Sequence, residues 1–515
     1  MNKESMIRIP ILLVSLFCVL ATAFVQKPVR GMTMSLFQGR QADVFTLFGP
    51  ATAAKQETRQ YVANAFSLSI QPAALEALQN TDAGIIRLQL PDPLNIQLDL
   101  YRTSVFSSDA MISTSDGRVF APNPDHQFYR GMIHGDPNSL AIVSVFESRV
   151  QILFADKDGN RRIQKSADGS YLLFKDLDIL VPKDINCFVD ESNDSSHAET
   201  APRPNQRMTG NCVQVYVECD YKSYQDNGSS VPNTEEWVAE LWNEVIALYE
   251  NEDIPVAVSD ILVYTSTDPF ANSPNTALML DTFMLHINNI TYDGRLAHLL
   301  STRNVGGGRA YVDVLCSNSA QVAVSTSLST NIVPLPTFSW SVECVTHEMG
   351  HNMGSRHTHA CVWNGNNTAI DGCGPAAGYN EGCNGPLPDE GTIMSYCHLV
   401  SGVGINFNLG FGPQPGDLIR SRYNNASCNT GTCTPPLCTS LTTPTPGSTG
   451  VDINQNLFWT SSDGAEGYKL TIGTTPTNGS ILNNVDVGLV TTYNPVNSFP
   501  FNTTIYVKIV PYNVI

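Results

Sequence analysis

The stretch best equipped for chemistry is His347-Glu348-Met349-Gly350-His351-Asn352-Met353-Gly354-Ser355-Arg356-His357. Two histidines four residues apart project from one face of a helix, a turn apart. Gly354 can take the positive φ that ends a helix and turns the chain, which lets His357 come back as a third nitrogen ligand. Three neutral imidazoles with a fourth position open form the coordination of a catalytic zinc, not of a closed structural one. A metal held in this way lowers the pKa of a water towards about 7. Glu348, beside the ligand pair and not itself a ligand, is placed to take that water's proton. The chain has 37 glycines and 10 histidines in 515 residues. Requiring Gly and His at two further fixed positions therefore cuts the chance of an accidental match to below roughly one in 500 of that for HExxH alone. A helix that merely carries surface histidines is the bland alternative, and the spacing disfavours it.

The elements that must position these groups are alternating α and β. A helix is predicted over Trp340 to Met353, with Val342 and Val345 turned to the core. Upstream, Val213, Val215 and Val217 alternate with polar partners as a strand, and Ile261-Leu262-Val263-Tyr264 reads as a buried strand. A helix over Glu235 to Glu250 is capped by Thr234 or Asn233, with Trp237, Leu241, Val245 and Leu248 as its buried stripe. Glu235 and Glu236 favour its N-terminus. A second helix covers Thr276 to Ile287. Gly306-Gly307-Gly308 leads into the strand-like Arg309 to Leu315; no Lys-Ser/Thr follows, so the triglycine is not a phosphate loop. Phe411 to Tyr423 reads as a closing helix.

The histidine pattern resembles the metzincin zinc-protease signature, HExxHxxGxxH with a methionine turn downstream. Gly391-Thr392-Ile393-Met394-Ser395-Tyr396 supplies that turn. The resemblance implies that Met394 underlies the three histidines as a hydrophobic floor, with His347, His351 and His357 binding one Zn2+ and Glu348 as general base. It is nearest to the reprolysin (adamalysin-like) group, secreted bacterial members especially. Those proteins usually carry Asp directly after the third histidine, where this chain has Thr358. The resemblance further implies that Arg309 to Leu315 is the edge strand beside the zinc, which can accept an extended peptide through main-chain hydrogen bonds. It implies a Cys316–Cys397 disulfide tying that strand to the methionine turn, and that Ser395 to Ile405 walls the primed-side specificity pocket. His359 and His398 read as non-ligands, because the set of three is complete. Whether Ca2+ also binds is not decided by any residue set.

Composition bounds the rest. A formal net charge of −19 with no basic cluster argues against a nucleic-acid partner. Lys3, Arg8, the apolar Ile11 to Leu20 and Ala21-Thr22-Ala23 form a signal-peptide pattern, so export is expected, without stable membrane insertion. Of thirteen cysteines Cys18 leaves with the signal, and in an exported chain the remainder suggest disulfides.

The fold class expected is multidomain. Residues 1–23 are the signal. Residues 24–207 are a β-rich propeptide, where Ile86, Leu88, Leu90 and Ile96, Leu98, Leu100 alternate as two strands around Pro91-Asp92-Pro93. Phe128 to Gly135 followed by Ser139 to Ile142 resembles the reprolysin propeptide pattern. Cys187 either caps the zinc through its thiolate, as related zymogens do, or enters an ordinary disulfide. Parity favours the disulfide, since setting Cys187 aside leaves an odd number. The polar Ser192 to Arg207 reads as a cleavable linker, with Arg203 and Arg207 as candidate processing points. Residues 208–430 are an α/β metzincin catalytic domain with a mixed twisted sheet and the zinc helix. Residues 431–447 are a linker. Residues 448–515 resemble a fibronectin type III module, a β-sandwich whose last strand is missing. The function expected is a secreted zinc-dependent endopeptidase, made as a proenzyme and acting on protein or peptide. The rivals are a zinc-binding adhesion protein without activity, a binding protein centred on the C-terminal module, and a metallohydrolase of non-protein amides.

Overall fold

In the computed structural model the described residues are 28–38, 41–180 apart from 82 and 167, 188–189, 212–330 apart from 318, 339–426, 428, and 439–512 apart from 463, 464, 466 and 476–478. The signal-like start, Cys187, the polar linker and its two arginines therefore lie outside the described residues.

The strands and helices that build the site follow in chain order. They are β1 (Phe106–Thr114), β2 (Val119–Phe120), β3 (Phe188–Val189), β4 (Val213–Cys219), α1 (Val231–Glu250), β5 (Val256–Val263), α2 (Thr276–Ile287), β6 (Leu296–Leu300), β7 (Gly308–Ala310), β8 (Val322–Ser325), α3 (Trp340–Asn352) and α4 (Pro413–Asn425). Among the described residues the eight strands form one sheet in the order β3-β7-β8-β6-β4-β5-β1-β2. Strands β8, β6, β4, β5 and β1 run parallel, and β7 is antiparallel to β8. Strands β4, β6 and β8 are buried on both faces, which is why they read as mainly aliphatic runs. Helices α1 and α3 pack on one face with Val215, Val217, Val258 and Ile261, while α2 packs on the other with Leu299 and Val324.

Helix α2 spans the predicted residues, and Asn275 caps it by accepting from the Leu278 amide at 3.0 Å. Helix α1 begins earlier than predicted. Its cap is Ser230, not Thr234 or Asn233, because Pro232 is pre-set for the first turn and Ser230 accepts from the Asn233 amide. Glu235 and Glu236 are therefore not in the first turn: Glu235 accepts from the Asn123 amide at 2.6 Å and Glu236 pairs with Arg149 at 3.2 Å. The predicted strand from Arg309 to Leu315 stops at Ala310. Asp313 and Cys316 take positive φ (58° and 72°), and the Asp313 and Val314 amides turn back to the carbonyls of His351 and Asn352 at the end of α3.

The N-terminal region is a ten-stranded sheet among the described residues, including Ile85–Gln89 and Gln97–Thr103 at the two predicted alternations. One of its segments leaves it: β1 pairs parallel with β5 and extends the other sheet. Val105, Phe106, Ile112, Phe128 and Leu153 share one core with Trp242, Val258 and Met394. Further along, residues 441–512 hold two three-stranded sheets around Leu457, Trp459, Tyr468, Leu470 and Ile472.

Candidate active site

Helix α3 carries His347, Glu348 and His351, all buried to 1% exposure or less. The helix ends at Asn352, and Gly354 takes φ 98° with its amide on the His351 carbonyl. The turn brings His357 back, so the ligand nitrogens of the three histidines lie within 4.8 Å of one another. Ring centroids are separated by 4.7, 5.2 and 4.8 Å.

The second ring nitrogens fix the tautomers. His347 Nδ1 donates to the Ile393 carbonyl at 2.8 Å, His351 Nδ1 to the Ser355 carbonyl at 2.7 Å, and His357 Nδ1 to Glu381 Oε1 at 2.5 Å. With Nδ1 protonated, each Nε2 carries a lone pair. The Nε2 atoms of His347 and His351 face each other at 3.0 Å, and His357 Nε2 is buried without a hydrogen bond among the described residues. Lone pairs set against each other are repulsive unless a cation lies between them, so this donor set fits Zn2+. Burial, reinforced by the neighbouring imidazoles, pushes His347 and His351 well below the ordinary histidine range. Burial also lowers His357, against the pull of Glu381. All three are neutral at neutral pH, as a metal-binding set requires.

The methionine turn braces this set. Met394 is fully buried, and a Cβ placed on Gly350 would meet its Sδ at 2.7 Å, so the glycine inside the motif is needed for the sulfur to lie beneath the ligands. Ile393 supplies the carbonyl for His347, and the Thr358 amide donates to the Met394 carbonyl at 3.0 Å. Thr358, where the resemblance would place Asp, is thus a backbone tie to that turn.

Strand β7 and Glu348 meet directly. A Cβ on Gly308 of β7 would stand 2.1 Å from Glu348 Oε1, so only glycine lets the strand cross the carboxylate this closely. Chain laid along β7 passes beside Glu348. In this structure that chain is β3, which pairs parallel with β7 at Phe188↔Arg309 and Val189↔Ala310.

The disulfides correct one expectation. Cys316 is bonded to Cys428, and Cys397 to Cys373, so the Cys316–Cys397 pair is not formed. The turn after β7 carries Cys316 towards the segment after α4, while Cys373 sits at a Cα distance of 4.9 Å from Cys397. A third bond, Cys361–Cys383, closes the loop that carries Glu381.

Sequence reading missed Glu381, which sits in no motif and is brought in by that crosslink. Burial pushes its carboxyl upward, but the bond from His357 and the nearness of His359 outweigh this and hold it well below the usual carboxylate range. His359 and His398 do not join the three ligands: His359 stacks on His357, and His398 Nδ1 lies 2.6 Å from Glu343 at the start of α3.

Residues 209–399 match the Reprolysin_5 description of metallo-peptidase family M12. Two curated relatives from Naja atra are zinc metalloproteinase-disintegrin-like proteins. Kaouthiagin-like is 23% identical and atrase-B 24% identical, each over 275 residues, or 48% of this chain and 44% of the relative. The chain therefore spans less than half the length of the curated relatives it matches. Among solved structures, metalloproteinase-II from Bacteroides fragilis aligns over 62% of this chain and 90% of its own, at 11% identity and a TM-score of 0.35. Archaemetzincin from Methanopyrus kandleri covers 42% of this chain and 98% of its own, at 13% identity and a TM-score of 0.26. Scores that low say nothing about the fold of the whole chain. The match over 209–399, on a segment that also brings three imidazoles, a carboxylate and a buried methionine together, makes that domain a reprolysin-like metzincin, a zinc metallopeptidase domain of family M12.

Proposed function

We propose that the chain is a secreted zinc-dependent endopeptidase made as a proenzyme. The observation that carries this is the outward-locked Nδ1 of His347, His351 and His357, which leaves three neutral Nε2 donors converging beside Glu348 under an open-ended strand. Zinc bound there supplies Lewis acidity towards a water and a scissile carbonyl. Glu348 takes the proton of the attacking water and delivers it to the leaving amine. Strand β7 holds the substrate backbone extended, and Met394 with the Ile393 carbonyl keeps the ligands in register. Residues 395–405 wall the primed side.

The proenzyme reading is supported by β3, which lies along β7 where a substrate strand would lie. The N-terminal region, 24–207, acts as propeptide, and Cys187 stands directly before β3 in sequence as the candidate zinc cap. Export is supported by the signal-like start and by three disulfides among the described residues. No helix among those residues is long and apolar enough to cross a membrane. The net charge of −19 gives nucleic acid no electrostatic footing. The module after residue 447, fibronectin type III-like, serves as a binder or spacer.

The test is cleavage of denatured casein by the purified chain after a cut between residues 190 and 211, beside Glu348→Ala, with zinc measured on both. Loss of the base costs at least about a hundredfold in rate while one zinc stays bound in each. Equal cleavage by both would show that Glu348 is not the base. No cleavage by either, with zinc bound, would put a non-catalytic adhesion role ahead.

A further inference from the structure

The three ligands are not held alike. His347 and His351 lie within α3, and their Nδ1 atoms rest on backbone carbonyls of Ile393 and Ser355, which are fixed by the methionine turn and the helix end. His357 lies beyond the helix, past Gly354, and its Nδ1 rests on a side chain twenty-four residues downstream, Glu381 Oε1 at 2.5 Å.

We propose that Glu381 is the positioning carboxylate of the third metal ligand, and that the Cys361–Cys383 disulfide and His359 hold it in place. The proposal rests on zinc binding at His347, His351 and His357. An imidazole ring can present either nitrogen to a metal, and the hydrogen bond at the other nitrogen decides which. A carboxylate there fixes the tautomer and ring plane and strengthens the ligand, whereas a neutral amide does so weakly. Here the same oxygen lies 3.3 Å from Nε2 of His359, whose ring is fully buried and stacked on that of His357 at 4.8 Å and 9°. Gly374 closes the other side of His359: a Cβ there would meet the ring at 2.4 Å. The carboxylate is thus aimed by two imidazoles in a walled slot, and the disulfide anchors its loop two residues on. The carboxylate beside the third histidine comes from this crosslinked loop, and the residue next to that histidine is Thr358.

Zinc dissociation constants, measured on the full chain by competition with a chelator, test this for wild type, Glu381→Gln, Glu381→Asp and Cys361→Ser with Cys383→Ser. Glu381→Gln should weaken zinc ten- to a hundredfold. Glu381→Asp should recover part of that loss, and the cysteine pair should fall between wild type and Gln. The visible spectrum of the Co2+ form should change in the Gln variant, and the melting temperature of metal-free protein should not. Unchanged zinc affinity in Glu381→Gln overturns the proposal, as does an equal fall in the melting temperature of the metal-free variant, which would make the loop merely structural. Two zinc ions per wild-type chain would overturn it in favour of a second metal at His357, His359 and Glu381. Failure of wild type to hold any zinc would instead sink the metal-site reading itself.

Discussion

The eight-stranded sheet has two edges, and N-terminal chain closes both of them in opposite ways. At the zinc side β3 pairs with β7 at two positions, through main chain. At the far side β1 pairs with β5 from Phe106 to Thr114, and Phe106, Ala110 and Ile112 sink into the core that holds Val258, Ile261 and Trp242. Three arginines of the N-terminal region then cross to α1 and to the start of α3. Arg130 reaches Glu250 at 2.6 Å and Asn243 at 3.0 Å, and Arg149 reaches Glu236 and Glu240. Arg162 reaches Glu244 at 2.5 Å and, at 2.7 Å, the Oγ of Ser339, the residue before α3. Asn160 exchanges bonds with the Ile405 carbonyl and the Phe407 amide, clamping the loop proposed as the primed-side wall. On the proposed function the near edge opens for substrate, and it is held by a few main-chain bonds worth about 1 kcal/mol each. The edge that need not open is held by side chains that cannot leave without exposing core and stranding charge.

The sharpest way to break that contrast is Arg162→Ala. It leaves Glu244 buried without its partner, so denaturant unfolding should show a loss of about 3–5 kcal/mol. Arg162→Met with Glu244→Leu should regain most of it, since an apolar pair of similar volume replaces the ion pair. A nick between residues 190 and 211 should then leave the two pieces of wild type co-eluting by size exclusion. Pieces that separate without denaturant would mean that the far edge is no tighter than the near one.

What sequence could and could not reveal divides along the same line. His347, His351 and His357 were legible because a helical repeat and one glycine fix three side chains within eleven residues, and local geometry suffices. Met394 was legible through the resemblance, and Gly350 then explains itself by the sulfur beneath it. Arg130, Arg149 and Arg162 were not legible. Arg130 and Arg162 lie on strands, where they look like the polar half of an alternation, Arg149 stands in the turn before one, and only long-range packing turns them inward. The same holds for β1, whose Phe106-Ser107-Ser108-Asp109 start carries too few apolar residues to signal a buried strand. Glu381 depends on a disulfide whose partner the spacing does not choose, and the mistaken Cys316–Cys397 pairing has the same origin.

A smaller effect sharpens the far-edge half. His126 packs edge-on against Phe146, between Glu235, Glu236, Asp125 and Arg149. Burial, with Arg149 adding to it, lowers its pKa to about 4. A histidine whose folded pKa lies below its unfolded value of about 6.5 leaves stability intact above pH 6.5 and removes it as pH falls towards 4. The loss should reach on the order of 2 kcal/mol at pH 4.5 relative to His126→Gln, read by urea unfolding of both at pH 7, 5.5 and 4.5. If wild type instead gains on the variant in acid, the two glutamates at 3.6 and 3.8 Å govern this histidine, and the interface tightens where loosening is expected.

The smallest change in stability belongs to the near edge, and there activity should respond instead. Replacing Phe188 and Val189 with proline removes the amide donors of β3, and proline is not tolerated in a paired strand. Among the described residues only two positions are paired, so global unfolding should shift by no more than about 1–2 kcal/mol. Hydrolysis of a short peptide by the intact, unprocessed chain should rise at least several-fold, because β7 and the approach to Glu348 are freed. Activity that stays flat while zinc remains bound would mean that β3 does not obstruct the site and that latency comes from another segment. A fall in stability as large as that of Arg162→Ala would place β3 in the cooperative core, and the two edges would then be closed by one mechanism.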